Sequence, residues 1–341
     1  MTDCAINRQP LSLVPARTAG DDGEIGPLMA LGGALLIRGD DAGACTVIDE
    51  ALAQAASSPA AAEMLAISCL RSVGAGPARA DAATVAALLM RVAGACAMQL
   101  GETNPVMTAL RCRLGDVWHA EGDLARARQQ YELVLAAHRT SVTGDNDAIA
   151  WALSGMGDVL RAERRYPAAL MHLQRALRRQ SELHGVHPAT ARTHTRLGAL
   201  WFDQGQYAEA RTHFQESLTM REATLGPRDP ATAQSLHNLG LTLAALGDLR
   251  SARVCLSQAL AIREDRLGRE HLATAQSLDV LSRVLAGLGD HESAQYCLER
   301  AAALYRERLG EQHPASSAAA TRLRENRRGG ARWKGMFRRD A

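Results

Sequence analysis

Aromatic residues make up only 4% of this chain, and Lys334 is its only lysine. With so few rings, a core must rest on leucine, alanine and valine. Without a second lysine, a phosphate-binding loop of the form GxxxxGK[ST] is excluded. CxxC, HExxH, GxSxG and Cys/His clusters of zinc spacing are also missing, so the common zinc and serine-hydrolase signatures do not apply. The seven cysteines (4, 45, 69, 96, 112, 255, 297) are odd in number and scattered. They read as reduced thiols in a cytoplasmic protein, not as a disulfide framework. Neither sign of charge dominates: a formal net charge of +2 gives no general reason to bind nucleic acid or an anionic membrane. No basic start with a long apolar run opens the chain, so no secretory signal is expected. No uninterrupted apolar run reaches the roughly 18 residues of a membrane span.

What the chain has is one unit, copied. Residues 229–268 read DPATAQSLHNLGLTLAALGDLRSARVCLSQALAIREDRLG. Leu236, Leu239, Gly240 and Leu243 fall at i, i+3, i+4 and i+7, one face of a helix. Asp229 and Pro230 suit its start, and Gly247-Asp248 ends it and caps a second helix. In that helix Ala252, Leu256, Ala259, Leu260 and Arg263 keep the same period. Neither helix can bury its stripe alone, so each needs a neighbour.

The neighbours are its copies. The turn position recurs at Gly122, Arg164, Gly205, Gly247 and Gly289, at an almost constant interval. Five residues after each stands an alanine: Ala127, Ala169, Ala210, Ala252 and Ala294. Nine after each stands a bulky side chain: Tyr131, Leu173, Phe214, Leu256 and Leu298. Gly144, Gly185, Gly226, Gly268 and Gly310 close the units. This pattern resembles the tetratricopeptide repeat, in the long variety of kinesin light chains. LHNLG at 236–240, ALAIREDRLG at 259–268 and HPATA at 187–191 carry the likeness. The resemblance implies an all-α, right-handed α-solenoid of helix pairs whose surface binds partner proteins.

In chain order, residues 1–26 are expected to be a flexible leader, and 27–103 two degenerate helix pairs. In the latter, Gly39-Asp40 and Ala80-Asp81 stand at worn turn positions, and Gly74-Ala75-Gly76-Pro77 is a weak joint. Residues 104–312 hold the five clear units and 313–326 a capping helix. Residues 327–341, RRGGARWKGMFRRDA, form a basic tail expected to be mobile.

No constellation of residues points to catalysis, a metal or a cofactor, so no enzyme, metal, cofactor or small-molecule substrate is expected. Histidines 187, 271 and 313 share the repeat-start position, where they precede or replace a cap. The expected site is the concave groove lined by first helices. Counting outward from Leu236 and Leu239 as buried, Gln234, His237, Leu241 and Ala245 are open, with Asn238 at the edge. The repeat places Trp151, Arg161, Arg192, Arg196, Gln276 and Arg283 at or beside such positions. Trp151 reads equally as a binding anchor or as a contact between repeats. Kinesin light chains carry paired asparagines at the positions of His237-Asn238, and only Asn238 matches. The expected function is a non-enzymatic scaffold or adaptor holding a partner protein's peptide in this groove. The alternative is a regulatory accessory acting through the basic tail at nucleic acid or an anionic membrane.

Overall fold

The computed structural model describes residues 28, 41–55, 58–75, 82–139 and 146–327. The expected leader, the turns at Gly39-Asp40 and Ala80-Asp81, the Gly76-Pro77 part of the joint, Gly144 and the tail beyond Arg327 lie outside them. Fourteen helices and no strand occur among the described residues, and the chain divides into two compact units between Gly185 and Val186. The first contains α1 (Asp41–Ala55), α2 (Pro59–Ala75), α3 (Ala82–Leu100), α4 (Pro105–Ala120), α5 (Leu124–Ala137), α6 (Asn146–Ala162) and α7 (Tyr166–His184). The second contains α8 (Pro188–Asp203), α9 (Tyr207–Leu225), α10 (Pro230–Ala245), α11 (Leu249–Arg266), α12 (Leu272–Gly287), α13 (His291–Leu309) and α14 (Pro314–Arg327). Consecutive helices pair, and each pair packs on the next within its unit. The fold class is therefore the all-α solenoid of tetratricopeptide-like pairs.

Local chemistry sets the helix ends. Asn104 and Asp229 accept from the first free backbone N–H groups of α4 and α10, with proline just inside each helix. His187 and His271 do the same through Nδ1, at 3.2 and 3.1 Å from the Ala189 and Ala273 nitrogens. The repeat-start histidines are thus caps, and the capping nitrogen must be unprotonated. At the turns, Gly122, Gly205, Gly247 and Gly289 sit at φ 76 to 89°, and Arg164 holds the same place at φ 61°. That left-handed region is open to glycine and strained for arginine.

Small residues let the helices of a pair approach. Gly240 of α10 lies against Leu256 of α11, and a Cβ built on it would stand 2.7 Å from the Leu256 Cγ. Phe214 covers Gly198 in the same way. Ala252, Leu256 and Ala259 are fully buried beneath them. The window Ala83–Leu100 in α3 is long and apolar enough to cross a membrane by length and composition. Here it packs between α2 and α4, and its Arg91 pairs with Asp49 of α1.

Candidate functional site

In the first unit a polar seam joins α4, α5 and α6. The carboxylate of Asp116 accepts from the Tyr131 hydroxyl at 2.7 Å and from the Trp151 indole nitrogen at 3.0 Å. One α4 side chain so fixes rings from two other helices. On α6, Arg161 Nε donates to Asp158 Oδ1 at 2.9 Å, and His119 lies 3.8 Å from the other oxygen.

The second unit repeats one device twice. Arg221 of α9 donates from Nη1 to the Ala231 carbonyl at 2.6 Å and to the Ser235 hydroxyl at 2.9 Å, both on α10. Arg263 of α11 donates from Nη1 to the Ala273 carbonyl at 2.7 Å and to Ser277 at 2.9 Å, both on α12. Arg263 is only 1% exposed, and a guanidinium keeps its proton even there. Its Nη2 also bonds the Gln234 side-chain oxygen, whose amide nitrogen donates to Asn238 Oδ1 at 3.0 Å. At the end of the unit, Arg322 of α14 pairs with Asp279 of α12 at 2.7 Å.

This positive charge is felt by its neighbours. His237 is held well below the usual imidazole value by burial, and then by Arg263 and Arg283. His271 is lowered by burial and by Arg263 and Arg308. The face of α10 and α12 thus combines fixed positive charge with the half-exposed amides of Gln234, Asn238 and Gln276.

The expected site residues divide between the units: Trp151 and Arg161 lie in the first, and Arg192, Arg196, Gln234, His237, Asn238, Gln276 and Arg283 in the second. Arg161, Arg196, Gln234, Asn238, Gln276 and Arg283 are half-exposed. Three others are not open, as is also true of Leu241. Trp151 is 6% exposed and tied to Asp116, so it is a contact between repeats and not a free anchor. His237 is 7% exposed because its ring turns along the row of first helices, with Nδ1 3.4 Å from Ser277 Oγ on α12. Arg192 holds the repeat position of Trp151 and is buried as Trp151 is. Gln234 and Gln276 hold the same repeat position and are half-exposed.

Sequence reasoning placed Arg263 on the apolar stripe of its helix but assigned it no partner, and it passed over Arg221. The signal was present. Positions 138, 180, 221, 263 and 305 are one repeat apart, hold His, Gln, Arg, Arg and Tyr, and are all buried. A serine follows each arginine at the same separation, Ser235 after Arg221 and Ser277 after Arg263. The described cysteines 69, 96, 112, 255 and 297 are not joined in disulfides. Burial pushes Cys69 up to about 12 and Cys96 to about 11, so neither offers a thiolate near neutral pH. No group of three His, Cys, Asp or Glu side chains fit to hold a metal occurs among the described residues.

Stacked helix pairs with a polar seam and a half-exposed first-helix face define a protein–protein interaction scaffold. Residues 105–182, 148–202, 189–265 and 246–307 match the family model described as tetratricopeptide repeat. These matches run over more than half of the chain, and the chain belongs to the tetratricopeptide repeat family, with repeats of the kinesin-light-chain-like kind. It is 26% identical over 124 residues to Protein KINESIN LIGHT CHAIN-RELATED 1 of Arabidopsis thaliana, covering 36% of this chain and 20% of that protein. The chain therefore spans about a fifth of the length of the relative it matches. Among solved structures, BtubC (BKLC) from P. vanneervenii is similar at a TM-score of 0.53 and 21% identity, over 68% of this chain and 91% of that one. Aspartyl phosphate phosphatase F from Bacillus subtilis is similar at 0.53 and 14% identity, over 92% and 81%. At these identities the structures share the fold with this chain.

Proposed function

We propose that this protein is a non-enzymatic scaffold of the cytoplasm whose second unit holds an acidic stretch of a partner polypeptide against α8, α10 and α12. The observation that carries this is the positive charge of Arg263 and Arg283 beside the half-exposed amides of Gln234, Asn238 and Gln276. Amides bond a peptide backbone without regard to its sequence. The Arg196 and Arg283 guanidiniums suit carboxylates or phosphates in fork geometry. Tetratricopeptide repeats support partner binding in general, and the charge of this face selects the class of partner. Partner capture followed by mass spectrometry supplies the ligand. Binding of an acidic peptide from it is then measured for the wild type and for Asn238→Ala and Arg283→Ala. The expected result is weaker, salt-sensitive binding in both variants with little change in melting temperature. Unchanged affinity in both, with the fold intact, removes this face as the site.

A further inference from the structure

The pair α8–α9 carries something its siblings lack. One contact position between first and second helix holds Leu236 with Cys255 in α10–α11 and Leu278 with Cys297 in α12–α13. In α8–α9 it holds His194 and His213. Their Nδ1 atoms are 3.1 Å apart and their ring centroids 5.3 Å apart at 45°. Both rings are half-exposed.

The geometry points to a transition-metal site: His194 and His213 bind one divalent ion of the zinc, nickel or copper class through their Nδ1 atoms, with water filling the other positions. Two imidazole nitrogens at about 2.0–2.1 Å from one ion stand about 3.3 Å apart on a tetrahedron and about 2.9 Å apart in a square plane. The observed 3.1 Å lies between these limits. The rings also come from two rigid helices, so closing on an ion needs little rearrangement. Without an ion, the two neutral rings share one proton in a hydrogen bond. On binding, the donor ring changes tautomer, its proton moving from Nδ1 to Nε2 by exchange with solvent, so both Nδ1 lone pairs face the ion with no net release of a proton.

Burial, and then the facing His213, pushes His194 down to about 4, and burial lowers His213 as well. Glu216, one turn along α9 from His213, acts in the opposite sense and favours positive charge there. The site has two protein ligands, so moderate affinity is expected, with the ion clamping α8 to α9. Mg²⁺ prefers oxygen ligands and should not respond.

The test uses the full chain, stripped with chelator and titrated with Zn²⁺, Ni²⁺ and Cu²⁺, with Mg²⁺ as control. Calorimetry gives the stoichiometry, and electron paramagnetic resonance of the Cu²⁺ form reports nitrogen ligation. The variants are His194→Leu, which restores the leucine of the sibling pairs, and His213→Gln, which copies Gln130 at the same position of α5. The exposed His291→Ala is the control. The expected result is one saturable equivalent and a metal-dependent rise in Tm. Both pair variants should bind more than about tenfold more weakly, since losing a ligand costs at least as much as losing an outer-shell partner. His291→Ala should match the wild type. The proposal is overturned by binding that survives in the pair variants, by no saturable binding in the wild type, or by an equal response to Mg²⁺. If His194→Leu fails to fold, His213→Gln decides alone.

Discussion

Gly240→Ala tests whether the fold rests on the close approach of paired helices. The new Cβ would lie 2.7 Å from Leu256 Cγ, 3.1 Å from its Cδ2 and 3.3 Å from the Ala252 carbonyl oxygen. Carbon atoms in contact normally sit about 3.5–4.0 Å apart, so the overlap with Cγ approaches about 1 Å. Cγ is the branch point of Leu256, and the Ala252 backbone is a further wall. Leu256 is fully buried. The helices must therefore separate, and overpacking of this kind costs about 1–3 kcal/mol. Alanine regains about 1 kcal/mol of helix propensity over glycine. A net destabilisation of about 0–2 kcal/mol follows, well short of the gain expected where nothing obstructs the new Cβ. Thermal and urea melts followed by circular dichroism read it. Gly94→Ala is the control: Gly94 lies within α3 with nothing within 4 Å of its would-be Cβ, so there the propensity gain of about 1 kcal/mol should appear alone. In a Leu256→Ala background Gly240→Ala should become neutral or stabilising, because the clash is gone. Ser282 holds the equivalent place in α12, opposite the position of Leu298. If Gly240→Ala gains as much stability as Gly94→Ala in the native background, close approach is not what limits this pair.

Four further outcomes are expected. Arg164→Gly should stabilise by about 0.5–1 kcal/mol, because it relieves an exposed arginine at φ 61°, as a shift in urea midpoint will show. Arg263→Ala should destabilise by roughly 3 kcal/mol, since it opens a cavity and strands the Ala273 and Ser277 acceptors. The milder Arg263→Met should raise the His237 pKa, read by NMR titration, because Arg263 helps to lower it. Stability should fall as pH drops below about 6.5. Unfolded histidines take up protons there, whereas folded His194 does not until about 4, and His213 and His237 are also lowered. The histidine contribution is thus complete above the unfolded pKa and fades on acidification. Urea midpoints between pH 7 and 4 should show the slope, and His194→Leu should flatten it.

The helices and their order follow from features that act along the chain. A 3.6-residue period, a capping Asp or His and a turn glycine each work within a few residues. Their recurrence at an almost constant interval implies stacking, because one helix pair cannot cover its own stripe. Gly240 and Leu256 show how far this reaches: their spacing from the turn marks one as small and the other as large, and the structure puts them in contact. The polar positions were less legible, because their fate depends on what the neighbouring repeat presents. Period alone places His237 and Trp151 on the outward side of their helices. It does not say that Ser277 and Asp116 would meet them there. Likewise, only packing gives Arg263 its acceptors on α12 and brings His194 within 3.1 Å of His213. Local backbone preference determined the repeat. The desolvation of each polar side chain, which sets its charge and its availability to a ligand, was decided by helices far from it in sequence.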